Sequence, residues 1–117
     1  MDYLKVVDPE AFVRGSFSRQ VLAGIETGVS SVRIFAAVVP AGTAGPALHQ
    51  HRYDQFYFVL QGQLSVEIDG QTLVAKPNTL VSLPRGVPHR QWNDGPDDEM
   101  HLAIESPETQ EKQAPKT

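Results

Sequence analysis

Glycine and proline recur from Pro9 to Pro115, nine of each in 117 residues, and divide the chain into short segments. Such punctuation suits many short strands joined by turns and leaves little room for long helices. The segments between the breaks carry strand patterns. Residues 18–25 and 30–39 read as strands, the second β-branched and apolar beyond Arg33, as in a strand covered on both faces. Residues 64–69 alternate apolar and polar, Asp69-Gly70 is a hairpin turn, and residues 72–75 form the return strand. Further strands are expected over 80–83, 89–92 and 100–105, with extended chain leading up to Leu60. Asp8-Pro9-Glu10 heads one short helical turn, with Asp8 as cap and Pro9 in the first helical position. The expected class is all-β, a sandwich or barrel in one domain. An arm over 1–17 precedes the barrel over 18–106, and a polar tail over 107–117 is expected to fray.

The formal net charge of -4 argues against a nucleic-acid partner, which calls for a basic face. The absence of cysteine excludes disulfides, thiolate metal sites and cysteine nucleophiles. Charges at Asp2, Lys5 and Asp8 break up the start, and no stretch approaches the roughly 18 apolar residues of a membrane span. A soluble cytoplasmic protein without a membrane partner is the default expectation.

Chemistry therefore rests on four histidines. His49 and His51 are two apart, which on a strand puts both imidazoles on one face as a two-tooth metal clamp. Gln55 and Gly62 follow at fixed distances, giving His49-x-His51-x3-Gln55-x6-Gly62; later comes Pro84-x-Gly86-x2-His89-x3-Asn93. In these two motifs, in this order, the chain resembles the cupin superfamily. The resemblance implies a double-stranded β-helix, or jelly-roll barrel, over nearly the whole chain. It also implies that His49, His51, Gln55 and His89 hold one divalent transition metal ion, of the Fe, Mn, Ni or Zn type, inside the barrel. Three positions depart from the family pattern. Thr43 and Asn78 stand where glycines are usual, and asparagine is the next-best residue for a positive-φ turn. Gln55 stands where the family usually has Glu, so the ligand set is neutral and the metal keeps more of its charge, suiting anionic or enolate-like substrates.

Alternation extends the site. With Gln55 inward, Tyr57 and Val59 follow, and Tyr57 could place a phenol beside the metal as proton donor or acceptor, or simply fill the barrel. Phe56, Phe58 and Leu60 then face outward, to be buried against a second sheet or another subunit; small cupins are often homodimers, which the resemblance implies here. On the last strand His101, Ala103 and Glu105 share a face. If it is the cavity face, His101 is the best general base, with Glu105 as a possible partner. Arg33 interrupts an apolar strand and needs a partner if buried. Arg33, Arg90 and Glu105 are the candidate substrate-binding residues, with Arg52 and Arg85 also near the motifs. Trp92 is expected to pack, and Pro84, Gly86 and Pro88 to hold His89 in place.

The reaction stays open, because one fold hosts many chemistries. A metal-dependent enzyme on a small organic substrate is the first expectation, with an oxygenase similar to quercetinase-like and diketone-cleaving cupins slightly ahead. A lyase or isomerase using His101 or Tyr57 as base is close behind. The His/His/Gln/His set with His101-Leu102-Ala103-Ile104 resembles bacterial manganese cupins acting as hydroxynitrile lyases. The Gln set also resembles small cupins that open unsaturated uronates, but those carry an Asp on the last strand, where Ala103 stands here. A non-catalytic small-molecule-binding or sensing cupin is the remaining alternative.

Overall fold

The computed structural model describes residues 3–106, and the expected tail over 107–117 lies outside them. Eight strands follow in order: β1 (Ser18–Ala23), β2 (Arg33–Val39), β3 (Asp54–Gln61), β4 (Leu64–Ile68), β5 (Gln71–Ala75), β6 (Leu80–Leu83), β7 (His89–Trp92) and β8 (Glu99–Ser106). They pair antiparallel in two sheets, one ordered β1-β2-β8-β3-β6 and the other β5-β4-β7. Chain-distant strands thus become neighbours: β8, the last, lies between β2 and β3. Among the described residues no helix is long and apolar enough to cross a membrane.

Turn chemistry fixes the frame. Ile68 pairs with Gln71, leaving Asp69 (φ 49°) and Gly70 (φ 82°) as a two-residue turn with both φ positive, the geometry that matches strand twist. Asn78 adopts φ 67°, the conformation expected of it as a substitute for glycine. Its amide donates to the carbonyl of Val59 at 2.8 Å, tying the β5–β6 turn to β3. Asp8 accepts from the amide of Glu10 and caps a 3₁₀ turn over Pro9–Ala11.

The first two strands are shorter than their sequence patterns. β1 ends at Ala23 because Gly24 and Gly28 enclose a 3₁₀ turn over Ile25–Thr27, closed by the Gly24 amide donating to the Thr27 hydroxyl at 3.0 Å. β2 starts at Arg33, and on its outer face Ala36 is fully buried while Ile34 and Val38 are only partly so, so that face is covered in part. The inner row, with Phe35, Val39, Tyr57, Val59, Leu64, Val66 and Leu83, forms the core between the sheets. In β8 the alternation is complete: Glu99, His101, Ala103 and Glu105 are buried, while Met100, Leu102, Ile104 and Ser106 are partly exposed on the outer face. The apolar side chains cover the outside of this strand, so its polar residues occupy the interior.

Candidate metal centre and cavity

Backbone pairing brings the two histidine motifs together. His49 and His89 exchange both amide hydrogen bonds, at 3.0 and 2.8 Å, as an isolated antiparallel bridge. Directly paired residues project to the same side of the ladder, so the two imidazoles meet. The Gly86 amide donates to the carbonyl of His51 at 2.8 Å, which anchors the Pro84–Pro88 loop beside the first motif. Gly45 is pressed against β7: a Cβ there would lie 2.8 Å from Cγ of Gln91. Asn93, fully buried, donates to the carbonyls of Val39 and Asp97 and holds the end of β7.

The candidate ligand atoms of His49, His51 and His89 lie within 4.8 Å of one another. The tautomers of His49 and His89 are set from behind. Nδ1 of His49 donates to the carbonyl of Ala47 (2.6 Å) and Nδ1 of His89 to that of Val87 (3.0 Å). A carbonyl only accepts, so these nitrogens carry the protons and each Nε2 keeps its lone pair. Nε2 of His89 is buried without a partner among the described residues. Burial holds the His89 imidazole below its ordinary pKa, favouring the neutral form that a metal needs. His51 is backed by Tyr53, stacked at 4.5 Å between ring centroids.

Gln55 shows the same fit. Its amide nitrogen donates to Oε2 of Glu105 at 3.1 Å, and its Oε1 is buried without a partner among the described residues. A carboxylate accepts only, so the hydrogen bond fixes which end of the amide is free: the oxygen. Two buried lone-pair donors left unsatisfied, beside two further imidazoles, form a neutral nitrogen-and-oxygen set suited to a borderline divalent cation.

Gln55, His49 and His51 line a cavity of about 380 Å³, at the small end of ligand pockets. His101 lines it too. The imidazole is fully buried, Nδ1 lies 2.9 Å from both carboxylate oxygens of Glu99, and Nε2 has no partner among the described residues. Burial pushes the Glu99 carboxyl up, and the His101 hydrogen bond pulls it down. Tyr57 packs against His101 with ring centroids 4.8 Å apart. Burial, then the charge of Glu105, raises its phenol far above the usual range, so Tyr57 keeps its proton and is a donor rather than a base. Gln91 adds an amide oxygen, buried and without a partner among the described residues.

Arg33 and Glu105 also line the cavity, beside Gln55. Nη2 and Nε of Arg33 donate to Oε1 of Glu105 at 2.7 and 3.1 Å. Arg19 approaches Oε2 of Glu105 at 3.7 Å, and its guanidinium lies 3.9 Å over the Phe35 ring.

The structure therefore brings His49, His51, Gln55, His89, Tyr57, His101, Arg33 and Glu105 together. It does not bring Arg90: odd positions of β7 face inward, so Arg90 points out, pairs with Glu67 at 2.6 Å and lies over Trp92. Arg52 and Arg85 are exposed and do not line the cavity. The partner of His101 is Glu99, not Glu105, because β8 starts one residue earlier than its apolar pattern indicates and adds Glu99 to the inner row. Glu99, Gln91, Tyr53 and Arg19 are additions that the motifs do not mark. Continuing the period of two backward from His101, outward from His89 and between His51 and Gln55 finds the first three; for Arg19 the sequence holds no signal.

A family model described as Cupin domain matches residues 35–104, well over half of the chain. The chain belongs to the cupin family. A structure of an RmlC-like cupin from Shewanella frigidimarina matches with a TM-score of 0.73 at 21% identity, covering 92% of each chain. An RmlC-like cupin from Methanocaldococcus jannaschii, described as a double-stranded β-helix, matches with a TM-score of 0.72 at 20% identity, covering 97% of this chain and 100% of that one. These identities speak for the cupin fold alone. Among curated proteins, an oxidoreductase (iacF) of Pestalotiopsis fici is 39% identical over 56 residues, 46% of this chain. The chain spans only 28% of that protein's length.

Proposed function

We propose that this cupin is a metal-dependent enzyme that moves a proton on a small organic substrate, as a lyase or isomerase does. The observation that carries this reading is the buried Glu99–His101 pair: His101 lines the same cavity as His49 and His51, and its Nε2 has no partner among the described residues. His49, His51, His89 and Gln55 would hold the metal. When bound there by neutral ligands, a divalent ion supplies a Lewis acid that steadies negative charge developing on a substrate oxygen.

The chain's own residues do the rest. Nε2 of His101 accepts the proton, and the Glu99 carboxylate stabilises the resulting imidazolium while holding the ring by Nδ1. Tyr57, kept protonated by its burial, donates a hydrogen bond to the substrate. The apolar floor of Ala37 and Ala103 keeps the base in a confined site where its charge is little screened.

An oxygenase is the second reading, favoured by the relative named as an oxidoreductase. Metal analysis followed by a screen of enolisable hydroxy and oxo compounds, with and without oxygen, tests both. Turnover without oxygen, lowered about 10²–10⁴-fold in His101→Ala with metal content unchanged, is expected. Oxygen-dependent turnover would select the oxygenase instead, and full turnover in His101→Ala would remove the base assignment.

A further inference from the structure

The cavity wall behind Gln55 carries two guanidiniums against one carboxylate. Arg33 is locked on Glu105 by two hydrogen bonds. Gln55 donates a further bond to the same carboxylate, so Glu105 is engaged on both oxygens. Arg19 reaches it only at 3.7 Å, beyond good hydrogen-bond distance, and is 43% exposed. The fixed charges lining the cavity, Arg19, Arg33 and Glu105, thus sum to one surplus positive charge, centred on the less engaged guanidinium.

The register places that charge relative to the base. Arg19 pairs with Ala37 on β2, and Ala37 pairs with His101 on β8. Two strand spacings put Arg19 and His101 roughly 10 Å apart at their Cβ atoms, with one alanine methyl between them. The Arg19 side chain leans over the Phe35 ring toward Glu105, and the ring supports the guanidinium. From the other sheet, the buried Oε1 of Gln91 lacks a hydrogen-bond donor among the described residues.

We propose that Arg19 is the anchor for a carboxylate and that the cavity takes a small hydroxy acid, with its hydroxyl donating to Gln91. A guanidinium binds a carboxylate by paired, charge-assisted hydrogen bonds, and the surplus charge makes the acid preferable to a neutral analogue. This substrate class deepens the proton-transfer reading and rests on it only for the cavity being the reaction site.

Binding to the purified, metal-loaded protein tests it, by calorimetry with 2-hydroxybutyrate, its methyl ester and butyrate. The acid should bind at least about tenfold more tightly than the ester, as expected for a hydrogen bond to a charged group. Arg19→Gln should bring acid and ester together, mainly by weakening the acid, and Arg19→Lys should keep part of the preference. Gln91→Leu should narrow the gap between 2-hydroxybutyrate and butyrate. A wild-type protein that does not prefer the acid overturns the proposal. So does a preference that survives Arg19→Gln, since the carboxylate would then be held elsewhere. An unchanged gap in Gln91→Leu removes the hydroxyl contact. Selective acid binding without turnover of any hydroxy acid would leave the anchor standing and discard the proton-transfer reading.

Discussion

The amide nitrogen of Gln55 donates to Glu105 at 3.1 Å, which leaves the carbonyl oxygen of Gln55 as the free end, buried and without a partner among the described residues. The carboxylate that most cupins place at position 55 is, in effect, replaced here by an amide with an acid behind it. Negative charge moves from the ligand position to the wall, where Arg33 and Arg19 meet it.

Glu105→Gln should therefore weaken metal binding about ten- to a hundredfold, because an amide acceptor no longer dictates which end of Gln55 is free. Competition with a fluorescent chelator measures this. Unchanged affinity would show that the orientation of Gln55 does not depend on Glu105.

His49→Ala and His89→Ala should reduce bound metal from about one ion per chain to a small fraction, read by elemental analysis of dialysed protein. Both residues sit on the bridge that joins the two motifs, so circular dichroism should accompany the measurement. Full occupancy in either variant would dismiss the site.

Glu99 ties stability to pH. Its carboxyl is raised by burial, so the folded protein binds that proton more tightly than the unfolded chain does. Its contribution is full below the unfolded pKa and is lost as pH rises through the folded value. Glu99→Gln removes the titration. The melting temperature of the variant should gain on that of wild type between pH 5 and pH 8, while turnover falls about 10²–10⁴-fold. A constant difference in melting temperature across that range would contradict the assignment.

Gly62 and Gly70 both adopt positive φ, at 74° and 82°, yet they should respond differently to alanine. A Cβ at Gly62 would meet the carbonyl oxygen of Asp98 at 2.6 Å and Cα of Glu99 at 2.9 Å, whereas nothing lies within 4 Å of one at Gly70. Gly70→Ala should cost about 1 kcal/mol from backbone strain alone. Gly62→Ala should cost about 3 kcal/mol and also disturb the Glu99–His101 pair. Urea denaturation and the activity of each variant give the comparison.

The outer row of β3 was expected to be buried. Phe56 and Phe58 are only partly buried and Leu60 is 40% exposed, beside the equally outward Leu102 and Ile104 of β8. The second sheet does not cover them, so a second copy of the chain is the expected cover. Light scattering should give a dimer mass, and Phe58→Glu should give a folded monomer; a wild-type monomer at micromolar concentration would rule the dimer out.

Strand identity, the hairpin at Asp69-Gly70 and the spacing of His49, His51, Gln55 and His89 could all be read in the sequence, because each depends on neighbours within a few residues. Period-two alternation is local, and so is the positive φ that Asn78 supplies. Alternation also gave the inner set of β8 once its first residue was known. The limits of β1 and β2 were less legible, since Gly24 and Gly28 favour a tight turn over continued pairing. What the sequence left open were contacts between residues far apart in the chain: Glu105 with Gln55 and Arg33, Arg19 laid over Phe35, Arg90 drawn outward to Glu67. The order β1-β2-β8-β3-β6 decides these. It sets the last strand between the second and third, and pairing across strands, unlike alternation along one, follows from how the sheet closes rather than from any local pattern.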